Sequence, residues 1–183
     1  KTLEFFKLIS SVLECVVSSY FEPINYGYSC SKISPDHVYG IIKENRTLER
    51  HIKECSGLLG EKIEIDSAYK IKFSSGYFPG IYAHSSECAK NLDLSFPSLF
   101  GRIGSIVLVK SNEFCHDAPE VARLLAQQIT GINPFVDESR DFQQALKKLM
   151  GQNYLTEPHM TVEKITRRHL INISAFYREE HIN

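Results

Sequence analysis

Near Gly60 the spacing of apolar residues changes from a helical to an extended period, and this change constrains the fold more than any other feature. Upstream, Leu48, Ile52 and Cys55 recur at helical spacing. Downstream, Ile63, Ile65, Tyr69, Ile71 and Phe73 alternate imperfectly with polar or small residues, as in a half-buried strand. A chain that places its helices first and its alternating runs second reads as an α+β fold. The expected division is a small helical part over residues 1–62 and a sheet-and-helix part over residues 63–183.

The helical part starts with an amphipathic run over residues 3–20, with Phe5, Ile9, Val12, Leu13, Val16 and Tyr20 on one stripe. Pro23 and the segment Asn25–Ser29 break it. Ser34-Pro35 reads as an N-cap followed by proline at the first helical position, with Val38, Ile41 and Ile42 as the apolar face. That pattern is interrupted near Asn45, and a helix from Thr47 to Leu59 ends at Gly60. In the second part, Ser74-Ser75-Gly76 is a turn between the strand ending at Phe73 and one over 78–84. A long polar connection over 85–100 leads to a strand at 103–110. Asp117 and Glu120 are spaced as a capping box for a helix whose inward stripe is Val121, Leu124, Leu125, Gln128 and Ile129, closing on Gly131 and Pro134. Helices over 139–150 and 161–168 and a last strand over 170–178 complete an antiparallel sheet of about three to four strands packed with helices.

Several function classes fall away. A net charge of −1 leaves no electrostatic footprint for bulk nucleic-acid binding. No apolar run reaches the roughly 20 residues that span a bilayer. The chain starts at Lys1 without Met, signal or transit segment, and so reads as a mature product or an excerpt. Five cysteines, with no C-x-x-C, disfavour a disulfide framework or a zinc site and favour a reducing compartment. The histidines show no metal-binding spacing with a carboxylate. Cys115-His116 looks like a nucleophile beside a base, but adjacent residues point apart, and working pairs come from residues distant in sequence. Neither a nucleophile elbow nor a phosphate-binding glycine loop is present. No catalytic residue, metal or cofactor is expected.

Six fragments, in order, resemble the core of translation elongation factor Ts, especially its animal mitochondrial form. They are Leu59-Gly60-Glu61-Lys62, Gly80-Ile81-Tyr82-Ala83-His84-Ser85, Gly101-Arg102-Ile103-Gly104-Ser105-Ile106-Val107, the helix from Glu120 to Pro134, Gln152-Asn153-Tyr154 with Glu157-Pro158 and Thr161, and Ala175-Phe176-Tyr177-Arg178-Glu179-Glu180. Lys62, Ser85 and Asn153 depart from the family pattern. The family's N-terminal module and its T-D-F-V motif, which supplies the wedge into the GTPase, have no counterpart between Lys1 and Asn183. The resemblance implies a guanine-nucleotide exchange factor that acts by binding elongation factor Tu, as a 1:1 heterodimer in the mitochondrial matrix, without direct contact with nucleic acid or membrane. It places Leu59, Gly60, Tyr82 and His84 at the Tu-facing surface. Phe176 reads as core, and Arg178 as structural, paired with Glu179 or Glu180 at the sheet edge, with a partner contact as the alternative. The alternative is a Tu-binding or scaffold module without exchange activity.

Overall fold

The computed structural model describes residues 3–19, 24–84, 99–111, 115–135 and 141–180. Tyr20, Pro23, Ser85, Cys88 and Ser139, and the connection over 85–98, lie outside the described residues. The architecture is α+β, in two compact units that part after Ser74.

In the first unit, α1 (Leu3–Ser19) buries Phe6 and Ser10, with Val12, Cys15 and Val16 half-buried against a small core of Ile33, Val38 and Leu48. The buried line is therefore offset from the expected stripe, and Leu13 stays 38% exposed. Ser10 reads as polar in a hydrophobic pattern, which displaces the inferred face. Strand β1 (Tyr28–Ile33) follows, then α2 (Pro35–Tyr39), where the Ser34 side chain accepts from the His37 N–H at 3.3 Å. Gly40 ends α2, so Ile41 and Ile42 do not belong to its face. They lead instead into a miniature hairpin of β2 (Ile42–Lys43) and β3 (Arg46–Thr47). Glu44 and Asn45 both have positive φ, 51° and 63°, the signature of a two-residue primed turn whose twist matches its strands.

The helix α3 (Leu48–Leu59) forms as its pattern dictates: Thr47 caps it by accepting from the Arg50 N–H, and Leu48, Ile52 and Cys55 are buried. Gly60, at φ 68°, donates its N–H to the Ser56 carbonyl and closes the helix in the left-handed region, where a side chain is strained. Strand β4 (Ala68–Phe73) then pairs antiparallel with β1, from Tyr28 opposite Phe73 to Ile33 opposite Ala68. This pairing places the strand in the first unit, whereas the sequence pattern places everything after residue 62 with the later sheet.

The second unit holds the sheet β5-β6-β7, all antiparallel, from β5 (Tyr77–His84), β6 (Ile103–Lys110) and β7 (Asn172–Glu180). Helix α4 (Ala118–Ile132) crosses one face and buries Val121, Ala122, Leu125, Ala126 and Ile129 against Val107, Val109 and Phe176. Asp117 does not cap α4 as expected, because its backbone is helical rather than extended and its carboxylate lies 3.2 Å from His169 Nδ1. Glu120 instead pairs with Arg123. The helix runs through Gly131 and stops at Asn133 (φ 45°), whose N–H reaches the Ile129 carbonyl. Helix α5 (Phe142–Met150) starts at Asp141, which accepts from Gln143 and Gln144, and α6 (Val162–Arg168) starts at the Thr161 cap. Buried Gln128 holds the turn before α6: its Nε2 donates to the Asn153 carbonyl and its Oε1 accepts from the Leu155 N–H.

Candidate docking surface

Period two along β5 turns Phe78, Gly80, Tyr82 and His84 toward the α4 side. The helix comes so close that a Cβ built on Gly80 would overlap the Ala122 carbonyl, so this contact admits only glycine. Tyr82 is half-buried and packs on the core. Across the sheet it stands beside Ser105, which in turn stands beside Arg178. This row is fastened to α4 by polar contacts. Ser105 Oγ donates to the Ala126 carbonyl at 2.5 Å and lies 2.8 Å from Thr130 Oγ1, while Arg178 Nε donates to the Thr130 carbonyl at 3.2 Å. Ser105 and Thr130 are buried, so these bonds form away from water, where unmade ones would be expensive.

His84 follows Tyr82 as the last residue of β5 and is exposed. Its main chain opposes Ile103, and its carbonyl accepts from the Arg102 N–H at 3.3 Å. Arg123 makes a two-pronged contact with Glu120, 2.8 and 2.7 Å, which pulls the Glu120 carboxyl below the usual carboxylate range. Tyr154 sits deeper, 3% exposed, and burial pushes its phenol up to about 12. The α3 end of the first unit carries the other pair: Leu59 is half-buried and Gly60 exposed. These arrangements are suited to binding. A half-buried aromatic beside an exposed imidazole at a strand end has the chemistry that binding surfaces use.

The family model described as elongation factor TS matches residues 3–148. The chain belongs to the elongation factor Ts family. Among similar proteins, the mitochondrial elongation factor Ts of Xenopus laevis is 29% identical over 150 residues, covering 76% of this chain and 46% of that protein. The human and bovine proteins of the same name are 27% and 26% identical over 137 residues, covering 73% of this chain and 41% and 40% of theirs. The chain thus spans less than half the length of these relatives.

Within the chain, Tyr82 and His84 share one strand face, while Leu59 and Gly60 lie at a helix end in the other unit. Phe176 is in the core, in ring contact with Phe135 and Phe142, and Arg178 is tied to Thr130. Sequence reasoning passed over Leu58, which is 81% exposed. The signal was available: the helical period that puts Leu59 on the line of Leu48, Ile52 and Cys55 turns Leu58 outward. It also passed over Ser105, whose role comes from its cross-strand position. The Cys115 thiol donates to the His169 carbonyl at 3.3 Å. Among the described residues no group of three or more His, Cys, Asp or Glu side chains could hold a metal ion, and no helix is long and apolar enough to cross a membrane.

Proposed function

We propose that this chain binds elongation factor Tu and promotes release of its GDP in mitochondrial translation, as one partner in a 1:1 complex in the matrix. The observation that carries the reading is the Tyr82–His84 strand end, locked to α4 through Ser105 and Arg178 and left exposed at His84. The match to the family and the likeness to mitochondrial elongation factor Ts proteins support it. Leu58, Leu59 and Gly60 supply a second contact at the α3 end.

Exchange of this kind needs no acid, base or metal from the factor. A GTPase grips GDP through backbone N–H groups and Mg²⁺. A protein that binds the open, nucleotide-poor state more tightly than the closed one shifts the population toward release. Rigidity matters, because a surface that yields on contact spends binding free energy on its own deformation. Linkage then requires GDP to weaken this chain's affinity for Tu by the same factor as the chain weakens that of GDP.

A second reading is docking on Tu without exchange, through the same exposed His84 at the strand end. One experiment separates them. Release of labelled GDP from Tu is followed with and without this chain, and Tu affinity is measured by calorimetry with and without saturating GDP. Accelerated release with an affinity that falls in GDP is the expected result. Equal affinity in both conditions removes the exchange reading, and binding without release leaves the docking module.

A further inference from the structure

The geometry points to Gly101 as a positioning residue that holds His84 at the docking face; the inference rests on the reading of His84 as a Tu contact. His84 ends β5 opposite Ile103, and Gly101 lies just before β6, so the two meet where the strand pair stops. A Cβ built on Gly101 falls 2.5 Å from the His84 carbonyl oxygen, 2.8 Å from its carbonyl carbon and 3.0 Å from its nitrogen. All three atoms are main chain, so no rotamer change relieves the overlap. The next amide extends the contact, with Arg102 N–H donating to the His84 carbonyl at 3.3 Å.

The requirement at Gly101 is one of space and not of backbone conformation. The glycines of positive φ among the described residues are Gly27, Gly60 and Gly76, so Gly101 is not held there by a left-handed backbone. What excludes a side chain is the backbone of His84 itself. Gly104, the other glycine of the Gly101-Arg102-Ile103-Gly104 run, differs: a Cβ there meets the Tyr82 carbonyl at 3.5 Å, an ordinary van der Waals distance. Of the two, only Gly101 is sterically required. Its place against His84 carries the ladder one residue past the last strand pair and fixes the main chain from which the imidazole projects. A Cβ at Gly101 forces its own main chain and that of His84 apart, and on this proposal the shift stops at His84, because the Tyr82–Ser105–Arg178 row is secured separately through α4.

The test compares Gly101→Ala, Gly104→Ala and His84→Ala in the full chain. The His84 ring resonance, assigned by its loss in His84→Ala, reports position, and calorimetry with Tu reports docking. Gly101→Ala is expected to move the His84 resonance and to weaken Tu about tenfold, as losing one well-placed contact does. Gly104→Ala is expected to change neither. On top of His84→Ala, the Gly101→Ala change is expected to add less than about twofold, because both act through one contact. An unmoved resonance in Gly101→Ala, or full additivity with His84→Ala, overturns the inference. If the resonance moves but His84→Ala leaves Tu affinity intact, the docking reading has failed and the steric hold on His84 stands. Should Gly101→Ala not fold, hydrogen exchange on the unaltered chain decides: the Arg102 amide is expected to be protected, and exchange at the rate of an unstructured amide overturns the hold.

Discussion

Tyr154 shows how one buried atom sets a pH limit. Its hydroxyl is buried and has no hydrogen-bond partner among the described residues, and burial raises its pKa from 10.0 to about 12. The folded value lies above the unfolded one, so the neutral phenol contributes stability that is complete below pH ~10 and is lost as pH rises toward ~12. The difference between the two values corresponds to about 2–3 kcal/mol at the upper end, and about 1 kcal/mol by pH 11. Urea denaturation of Tyr154→Phe is therefore expected to match or slightly exceed the parent at neutral pH, since an unpaired hydroxyl is removed. Between pH 9 and 11 the variant is expected to lose about 1 kcal/mol less than the parent. Parallel pH profiles for the two proteins would refute the assignment. The carboxyls paired with arginine run the other way. Glu54, held low by its hydrogen bond to Arg50, and Glu120, held low by Arg123, stabilise the fold above the ordinary carboxylate range, and their contribution is lost as pH falls through it.

Among the elements, α4 and β5 cross closely at Gly80, and two glycines test that packing with opposite signs. Gly80→Ala forces a Cβ into the Ala122 backbone and is expected to destabilise by about 2 kcal/mol or more, the range of overpacked cores. Gly131→Ala lies in α4 with open space around the added carbon and is expected to stabilise by up to about 1 kcal/mol. Urea midpoints that move in the same direction for both variants would contradict the packing described. The same contrast between local and distant causes explains what could be read from sequence. Helix α3 was readable because Thr47, Gly60 and the line Leu48, Ile52, Cys55 all lie within it. Strand β1 was not: only Ile33 of its residues is buried, so no alternation marks it, and its partner β4 is far along the chain. The β2–β3 hairpin turns on Glu44-Asn45 without the glycine that advertises such turns. At the candidate site, period two puts Tyr82 and His84 on one face, and the family resemblance marks them as contacts. The roles of Ser105 and Gly101 depend on register between strands and on a close backbone approach, which no local pattern encodes.

For the whole molecule, the two units differ in how much apolar surface secures them. The second has a broad core joining β6, α4, α5, α6 and β7 through Val107, Val109, Leu125, Ile129, Leu149, Ile165 and Phe176. The first is smaller: Ile33, Val38 and Leu48 form its cluster with partly buried neighbours from α1, and Phe6, Ile52 and Cys55 are its other buried apolar side chains. Burial of apolar area is the main favourable contribution to folding, so opening free energy should follow core size. Amide exchange is expected to be slowest in β6 and α4, and at least about tenfold faster along the β1–β4 ladder, a difference of about 1.4 kcal/mol in opening. The difference bears on the proposed exchange, because Tyr82 and His84 project from the well-cored unit whereas Leu58, Leu59 and Gly60 end a helix of the lightly cored one. A firm strand end can dock without deforming, while a helix end on a looser core can adjust to its partner and gain order on binding. Adding Tu is accordingly expected to slow exchange more in α3 than in β6. Equal protection of β1–β4 and β6 in the free chain would show that the units open together, and an α3 unchanged by Tu would remove its end from the docking surface.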